Sequence, residues 1–285
     1  MSTTSIYGTD FEGEYNVAKV SDGRIWTFSE AFLNAVAFGK VPGHELVHKF
    51  GKNSAVGTTL TVISDGGAYQ VPTSPQTLFA TSTDANDTIA GSGARIILVE
   101  YLDSNFNRQT GTIRMAGTSQ STDSISNVLR VFRIQVILTG TYATSTASSQ
   151  KGTITLHQTG GTPVWATLPQ ISAGFGSGQS LISAYTVPAN FTAFLLKYIV
   201  SAASNQTTDV YFFHRENADI VTSPYPGVMR VQNVYSGVSS TVGLDHLTWE
   251  KYPEKTDMGF MAKVGSGNGS CSAEFEFLLI DNNYL

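Results

Sequence analysis

A single cysteine, Cys271, stands in a chain of 285 residues, which rules out an internal disulfide framework. Its neighbours, Ser270 to Phe277, read as the start of a strand, so a buried and inert thiol is expected. Charge is scarce as well. Asp, Glu, Lys and Arg make up 14% of the residues, against roughly 25% in an average soluble domain. No run of Lys or Arg occurs and the net charge is −5, which argues against a nucleic-acid partner. No apolar run approaches the roughly 18 residues of a membrane-spanning helix, so no membrane partner is expected. The opening MSTTSIYGTDFEGEY lacks the basic and apolar regions of a secretory signal, which points to synthesis in a cytoplasm. Catalytic signatures are missing too. There is no G-x-S-x-G elbow, and no His stands beside the lone Cys. Gly91-Ser92-Gly93 lacks the Lys-Ser/Thr and the helix of a phosphate loop and reads as a turn. No enzyme activity and no cofactor follow from such a chain.

What is present is strand chemistry. Hydrophobic residues reach 41%, enough for sizeable cores, and Gly, Ser and Thr take the place of charge. The clearest unit is Ala94 to Thr118, read as one hairpin: Ala94–Leu102 is a long apolar strand, Asp103-Ser104-Asn105 a polar turn, and Asn107–Thr118 the return. Between Thr58 and Leu168 there are eight strand candidates separated by polar turns, and between Leu181 and Ile280 seven more. Helices do not intervene, so an all-β fold of two antiparallel, jelly-roll-like sandwiches is expected. In Val128–Leu138, Leu129, Val131, Ile134 and Val136 share a face only if a bulge intervenes. The last strand alternates Phe275, Phe277 and Leu279 with Glu274, Glu276 and Leu278, one face core and the other largely wet. The expected division is an N-terminal arm with one short helix (1–57), a first sandwich (58–168), a glycine-rich linker (169–180) and a second sandwich (181–285).

Four segments are candidate sites. Ser29 caps a short helix, Glu30 to Phe38, whose face of Phe32, Leu33 and Val36 suits docking on a neighbour or on its own domain. His44-Glu45-Leu46-Val47-His48 matches H-E-x-x-H, in which two His one helical turn apart bind zinc and the Glu is a general base. Gly51 extends the match, but Ser54 stands where a third ligand belongs, and Pro42-Gly43 and Gly51 leave barely two helical turns. A chance match is therefore favoured, with a zinc hydrolase through His44 and His48 as a remote alternative. The Asp84–Asp87 loop has the oxygen-rich character of a calcium site. Aromatics gather in the last third, where Ser223-Pro224-Tyr225-Pro226-Gly227 projects Tyr225 and Trp249 stands nearby in sequence; core packing and contact with a partner or sugar are both open to them.

Several stretches resemble structural proteins of tailed bacteriophages: VPGHELVHKFGKN (41–53), SDGGAYQVPTS (64–74), ANDTIAGSGARIILVEYLDSNFN (85–107), GQSLISAYTVPANFTAFLL (178–196) and EFEFLLIDN (274–282). The resemblance implies a β-sandwich protein of the virion with no catalysis, and it carries no catalytic residues. On that basis the expectation is a non-enzymatic, head-associated (capsid decoration) component, assembled in the host cytoplasm. Its expected partners are major capsid or neck proteins and copies of itself, as a homotrimer. A neck, collar or tail-associated protein that binds a host glycan is the alternative. Phe32, Leu33, Val36, Tyr225 and Trp249 are the candidate partner contacts.

Overall fold

The computed structural model describes residues 30–142, 149–173, 175–203 and 206–285. The stretch that includes Ser29 and most of the expected arm lies outside them. In chain order the elements are α1 (Glu30–Ala37), β1 (His44–Val56), β2 (Thr61–Val62), β3 (Gln76–Ser82), β4 (Ala94–Leu102), β5 (Arg108–Arg114), β6 (Ile125–Val128) and β7 (Arg130–Thr139). There follow β8 (Ile154–His157), β9 (Val164–Leu168), β10 (Gln170–Ser172), β11 (Phe175–Gly176), β12 (Ala184–Thr186) and β13 (Phe191–Ala202). The chain ends with β14 (Thr208–Arg215), β15 (Arg230–Val238), β16 (Thr241–Tyr252), β17 (Asp257–Val264) and β18 (Gly269–Asp281). The fold is all-β with one short α-helix among the described residues, as expected.

The first sandwich packs the sheet β6-β3-β8-β9 on the sheet β5-β4-β7. Their inward side chains, among them Leu78, Ile97, Ile113, Ile134, Ile154 and Trp165, form one buried cluster. The expected hairpin is present. Asp103 holds its turn by accepting from the backbone N–H of Asn105 at 2.9 Å and of Asn107 at 3.0 Å, and Phe106 adopts a positive φ of 63°. A bulge is present too, although Leu129 packs in the second core and only Val131, Ile134 and Val136 share the first. Along the β4–β7 ladder Glu100 faces Arg133 while Tyr101 faces Val131, so Phe132 is the extra residue. Val131 and Ile134 thereby both reach the first core, and Phe132 turns the other way, to stack on Tyr185 of β12 at 4.4 Å.

The second sandwich packs β1-β18-β13-β16 on β12-β17-β14-β15. Period-two alternation in β18 sends Cys271, Ala273, Phe275, Phe277 and Leu279 into its core, where Phe212, Phe260 and Tyr198 meet them. Burial pushes the Cys271 thiol up to about 12, which makes it inert at neutral pH. On the other face Glu274 and Glu276 pair with His48 at 3.3 Å and Lys197 at 3.2 Å. That face does not stay wet: Leu278 and Ile280 are buried beneath α1. The expected wet face holds for the charged half of the strand and fails where an apolar helix covers it.

The boundaries differ from those expected. Segment 44–56 is no part of an arm; β1 pairs with β18 from His44↔Ile280 to Val56↔Gly269 and forms an edge of the second sandwich. β2 likewise joins β17, at Thr61↔Ala262 and Val62↔Met261. The first sandwich is therefore inserted between β2 and β12, and two connections run side by side to it. Ser64 bridges Ile182, and the Ser183 N–H donates to the Ile63 carbonyl at 2.9 Å. The glycine-rich stretch 169–180 is not a free linker either. Ile134 donates through its N–H to Ser180 Oγ at 3.0 Å, and Val136 to the Gly178 carbonyl at 2.8 Å, so its described part is bound to β7.

Candidate functional site

The two sandwiches are locked by a buried charge cluster. The Asp257 carboxylate of β17 accepts from Arg130 of β7, Nε to Oδ1 at 3.0 Å and Nη2 to Oδ2 at 3.1 Å. It also accepts from Thr186 Oγ1 at 2.6 Å and from Nε and Nη2 of Arg215. The side chains of Arg130 and Asp257 are 1% and 2% exposed, so this pair is shielded from solvent screening. Burial disfavours the charged carboxylate, but the Arg130 and Arg215 guanidiniums outweigh it and hold its pKa below the ordinary value. The second Arg130 terminus donates to the Leu129 carbonyl at 2.9 Å. One carboxylate thus ties a strand of the first sandwich to three strands of the second.

Lys49 adds a second tie. It is 4% exposed, and its Nζ donates to the Phe132 carbonyl at 2.6 Å, across the junction. Burial, and then Arg133 nearby, lower its pKa to about 7. Asp65, in the connection itself, accepts from the Leu181 N–H at 3.1 Å, and burial raises its pKa to about 7. Gly51 permits the close approach. A Cβ there would lie 2.2 Å from Ser183 N and 2.3 Å from Ile63 O, so only glycine lets β1 pass against both connections.

These contacts cover one lateral edge of the second sandwich, formed by β1 with β12 and β2. The opposite edge is open. Among the described residues β15 pairs only with β14 and β16 only with β13, each the last strand of its sheet, and the short connection 239–240 joins these two free edges. Tyr252 Oη donates to Gln232 Oε1 at 2.7 Å and Tyr198 bonds Tyr235, closing the core behind them. Large apolar side chains are exposed in this part of the chain, beside polar ones such as Arg230 and Asp245. Of the 19 exposed large hydrophobic side chains among the described residues, nine lie between Ile220 and Leu247, including Val228, Met229, Val231 and Val234. Leu247 stands on a bulge. The β13 register passes from Leu195↔Glu250 to Lys197↔Asp245, and Leu247 projects with 104% relative exposure.

The sequence-derived candidates divide accordingly. Phe32, Leu33, Val36 and Trp249 come together, but on each other: α1 packs on the sheet beside Leu196, Leu278 and Ile280. Among those four the intramolecular alternative is the one observed, because the helix face covers apolar residues of β13 and β18. Tyr225 remains 58% exposed and rims a cavity of about 300 Å³ with Arg130, Arg215, Ile220 and Val221. His44 and His48 do not form a metal pair. They lie in β1, facing Ile280 and Glu276, and a strand separates residues four apart by roughly 13 Å. His44 Nδ1 contacts the Pro42 carbonyl at 2.8 Å, and Glu45 pairs with Arg108 at 2.7 Å. The calcium reading of the Asp84–Asp87 loop fails as well, because the Asp87 carboxylate already accepts from Ser82 Oγ and from the N–H groups of Ala94, Lys151 and Gly152. Among the described residues no cluster of three His, Cys, Asp or Glu side chains suits a metal, and no helix is long and apolar enough to cross a membrane. The clamp of Arg130 and Asp257 escaped sequence reasoning, since the two stand 127 residues apart.

No family model and no curated protein matches the chain. Among solved structures it is similar to infectious bursal virus-derived T=1 particles, at 11% identity over 88% of this chain and 75% of that one, with a TM-score of 0.24. It is also similar to the PBSX exported protein XepA, at 10% identity over 93% and 99% of the two chains, with a TM-score of 0.18. A further similarity is to Arthrobacter globiformis T6 isomalto-dextranase complexed with panose, at 14% identity over 84% of this chain and 35% of that one, with a TM-score of 0.20. At scores this low no shared role follows.

Proposed function

We propose that this chain is a non-enzymatic structural component of a bacteriophage virion, a head-associated (capsid decoration) protein that acts through protein–protein interfaces. The observation that carries the reading is the open edge of the second sandwich. A long unpaired edge is a template for association, and soluble proteins normally blunt it with charge or cover it. Here one edge is covered by the first sandwich, and on or next to the two strands that end the other, Val228, Val231, Val234 and Leu247 are exposed. Large apolar side chains left exposed beside an unpaired edge are what an interaction surface needs. The clamp at Asp257 supports the same reading, because a block that keeps its two halves in fixed relation holds its contacts in register within a lattice. The partners are copies of the chain, as a homotrimer, and the capsid shell. Antibody–gold labelling of particles that carry the chain tests the role: gold on heads is expected, and particles free of gold overturn it.

A neck or tail-associated, glycan-binding role is the second reading. It is favoured by Tyr225, which lines a cavity together with two arginines that share one carboxylate. Gold confined to the neck or tail selects it.

A further inference from the structure

A different cavity, of about 380 Å³, opens where β1 meets β5, β7 and β12. Its size is within the range of small-molecule sites, roughly 300–1,000 Å³. Its walls hold the donors Lys49, Arg108, Arg133 and Tyr185 beside the carboxylates of Glu45 and Glu100. Tyr185 is 3% exposed, and its ring is fixed between Phe132 at 4.4 Å and Phe277 at 4.7 Å. Its buried hydroxyl has no hydrogen bond of full geometry, although Arg108 stands within electrostatic reach. Burial raises its pKa above the ordinary value, so it remains an O–H donor. Lys49 lines the same cavity and uses its Nζ on a single carbonyl, that of Phe132. An amine carries two donors and an ammonium three, so at least one is left. Arg108 gives Nη1 to Glu45 and keeps other N–H groups in hand. Arg133 and Glu100 complete the charged lining, and Glu100 accepts from Gln135 Nε2 at 3.1 Å.

The buried Tyr185 hydroxyl lacks an acceptor of full geometry, and Lys49 and Arg108 beside it keep unused N–H groups, so a ligand with more than one acceptor oxygen suits the three together. The carboxylates of Glu45 and Glu100 in the same wall require the converse, a ligand that also donates. We propose that this cleft binds a small acidic sugar, its carboxylate taken by Tyr185 Oη, Arg108 and Lys49 and its ring hydroxyls by Glu45 and Glu100. The site shares no residue with the open edge and is independent of the assembly role. A carboxylate set beside Lys49 favours the ammonium against the neutral amine, a balance that Arg133 disfavours and Glu100 favours in the empty cleft. Binding therefore takes up a proton just above neutral pH.

The test is titration calorimetry of the full chain with glucuronate at pH 7.5, in two buffers of different ionisation enthalpy. Glucuronate is expected to bind with net proton uptake, and glucose and acetate at least tenfold more weakly. Tyr185→Phe removes a hydroxyl that has no hydrogen bond of full geometry in the fold and only the nearby Arg108 as a neighbour, so it is expected to fold as wild type and to weaken glucuronate at least tenfold. Lys49→Met is expected to abolish the proton uptake. Wild-type affinity in Tyr185→Phe, equal binding of glucose or of acetate, or no heat at millimolar glucuronate each overturns the proposal. None of these outcomes bears on gold labelling of particles, so the two readings fail separately.

Discussion

Lys49→Met should stabilise the protein at neutral pH, and the gain should fade as pH rises. Lys49 is enclosed at the junction with one hydrogen bond, and its pKa falls from 10.5 to about 7. Between those two values the unfolded chain binds a proton that the native state does not, so native stability climbs with pH through that window. Below about pH 7 both states are protonated, and the full cost of burying the charge is present. At roughly 1.4 kcal/mol per pH unit, the whole window corresponds to about 5 kcal/mol as an upper bound. From pH 7.5 to 9.5 the wild type should gain about 2–3 kcal/mol relative to the variant. Against this, the methionine loses one hydrogen bond, worth about 1 kcal/mol. Urea unfolding followed by tryptophan fluorescence at several pH values measures the difference directly. Parallel stability curves for the two proteins would refute the reasoning, since they would mean that Lys49 titrates alike in the folded and unfolded chain.

The remaining expectations concern the same junction and its surroundings. Asp257→Asn leaves Arg130 and Arg215 without their shared carboxylate, and breaking a buried pair in this way should cost about 3–5 kcal/mol in chemical denaturation; a loss below about 1 kcal/mol contradicts the clamp. Asp65 has a folded pKa of about 7 against 3.8, so the native state holds the extra proton between those values. Its contribution is fully present below about pH 4 and is lost as pH rises through 7, a fall that denaturation of Asp65→Asn should not show. Cys271 should resist an aromatic disulfide reagent in the native protein and react on unfolding; rapid native reaction contradicts its burial.

Local signals were the legible ones. The β4–β5 hairpin follows from Asp103 and a run of apolar strand formers, and the inward face of β18 follows from Phe275, Phe277 and Leu279. The bulge near Phe132 was readable because Val131 and Ile134 violate period two. What escaped was non-local. His44–Val56 carries His, Lys and Gly in no clean alternation, and it becomes a strand because β18, more than 200 residues later, offers it a ladder. With β1 hidden, the insertion of the first sandwich into the second was hidden as well. The H-E-x-x-H spacing, already favoured as a chance match, lies on this same strand, and it has chemical meaning only on a helix. Trp249 and the α1 face could be assigned to self or partner only once Leu278 and Ile280 were seen to need cover.

The most direct test of the central claim is the solution mass of the wild type beside the double variant Val234→Glu with Leu247→Glu, by light scattering at micromolar concentration. Both side chains are exposed, so the fold should survive the change, as circular dichroism will verify. The account predicts a trimer for the wild type and a monomer for the variant. A monomeric wild type, or a trimer indifferent to both glutamates, would contradict it.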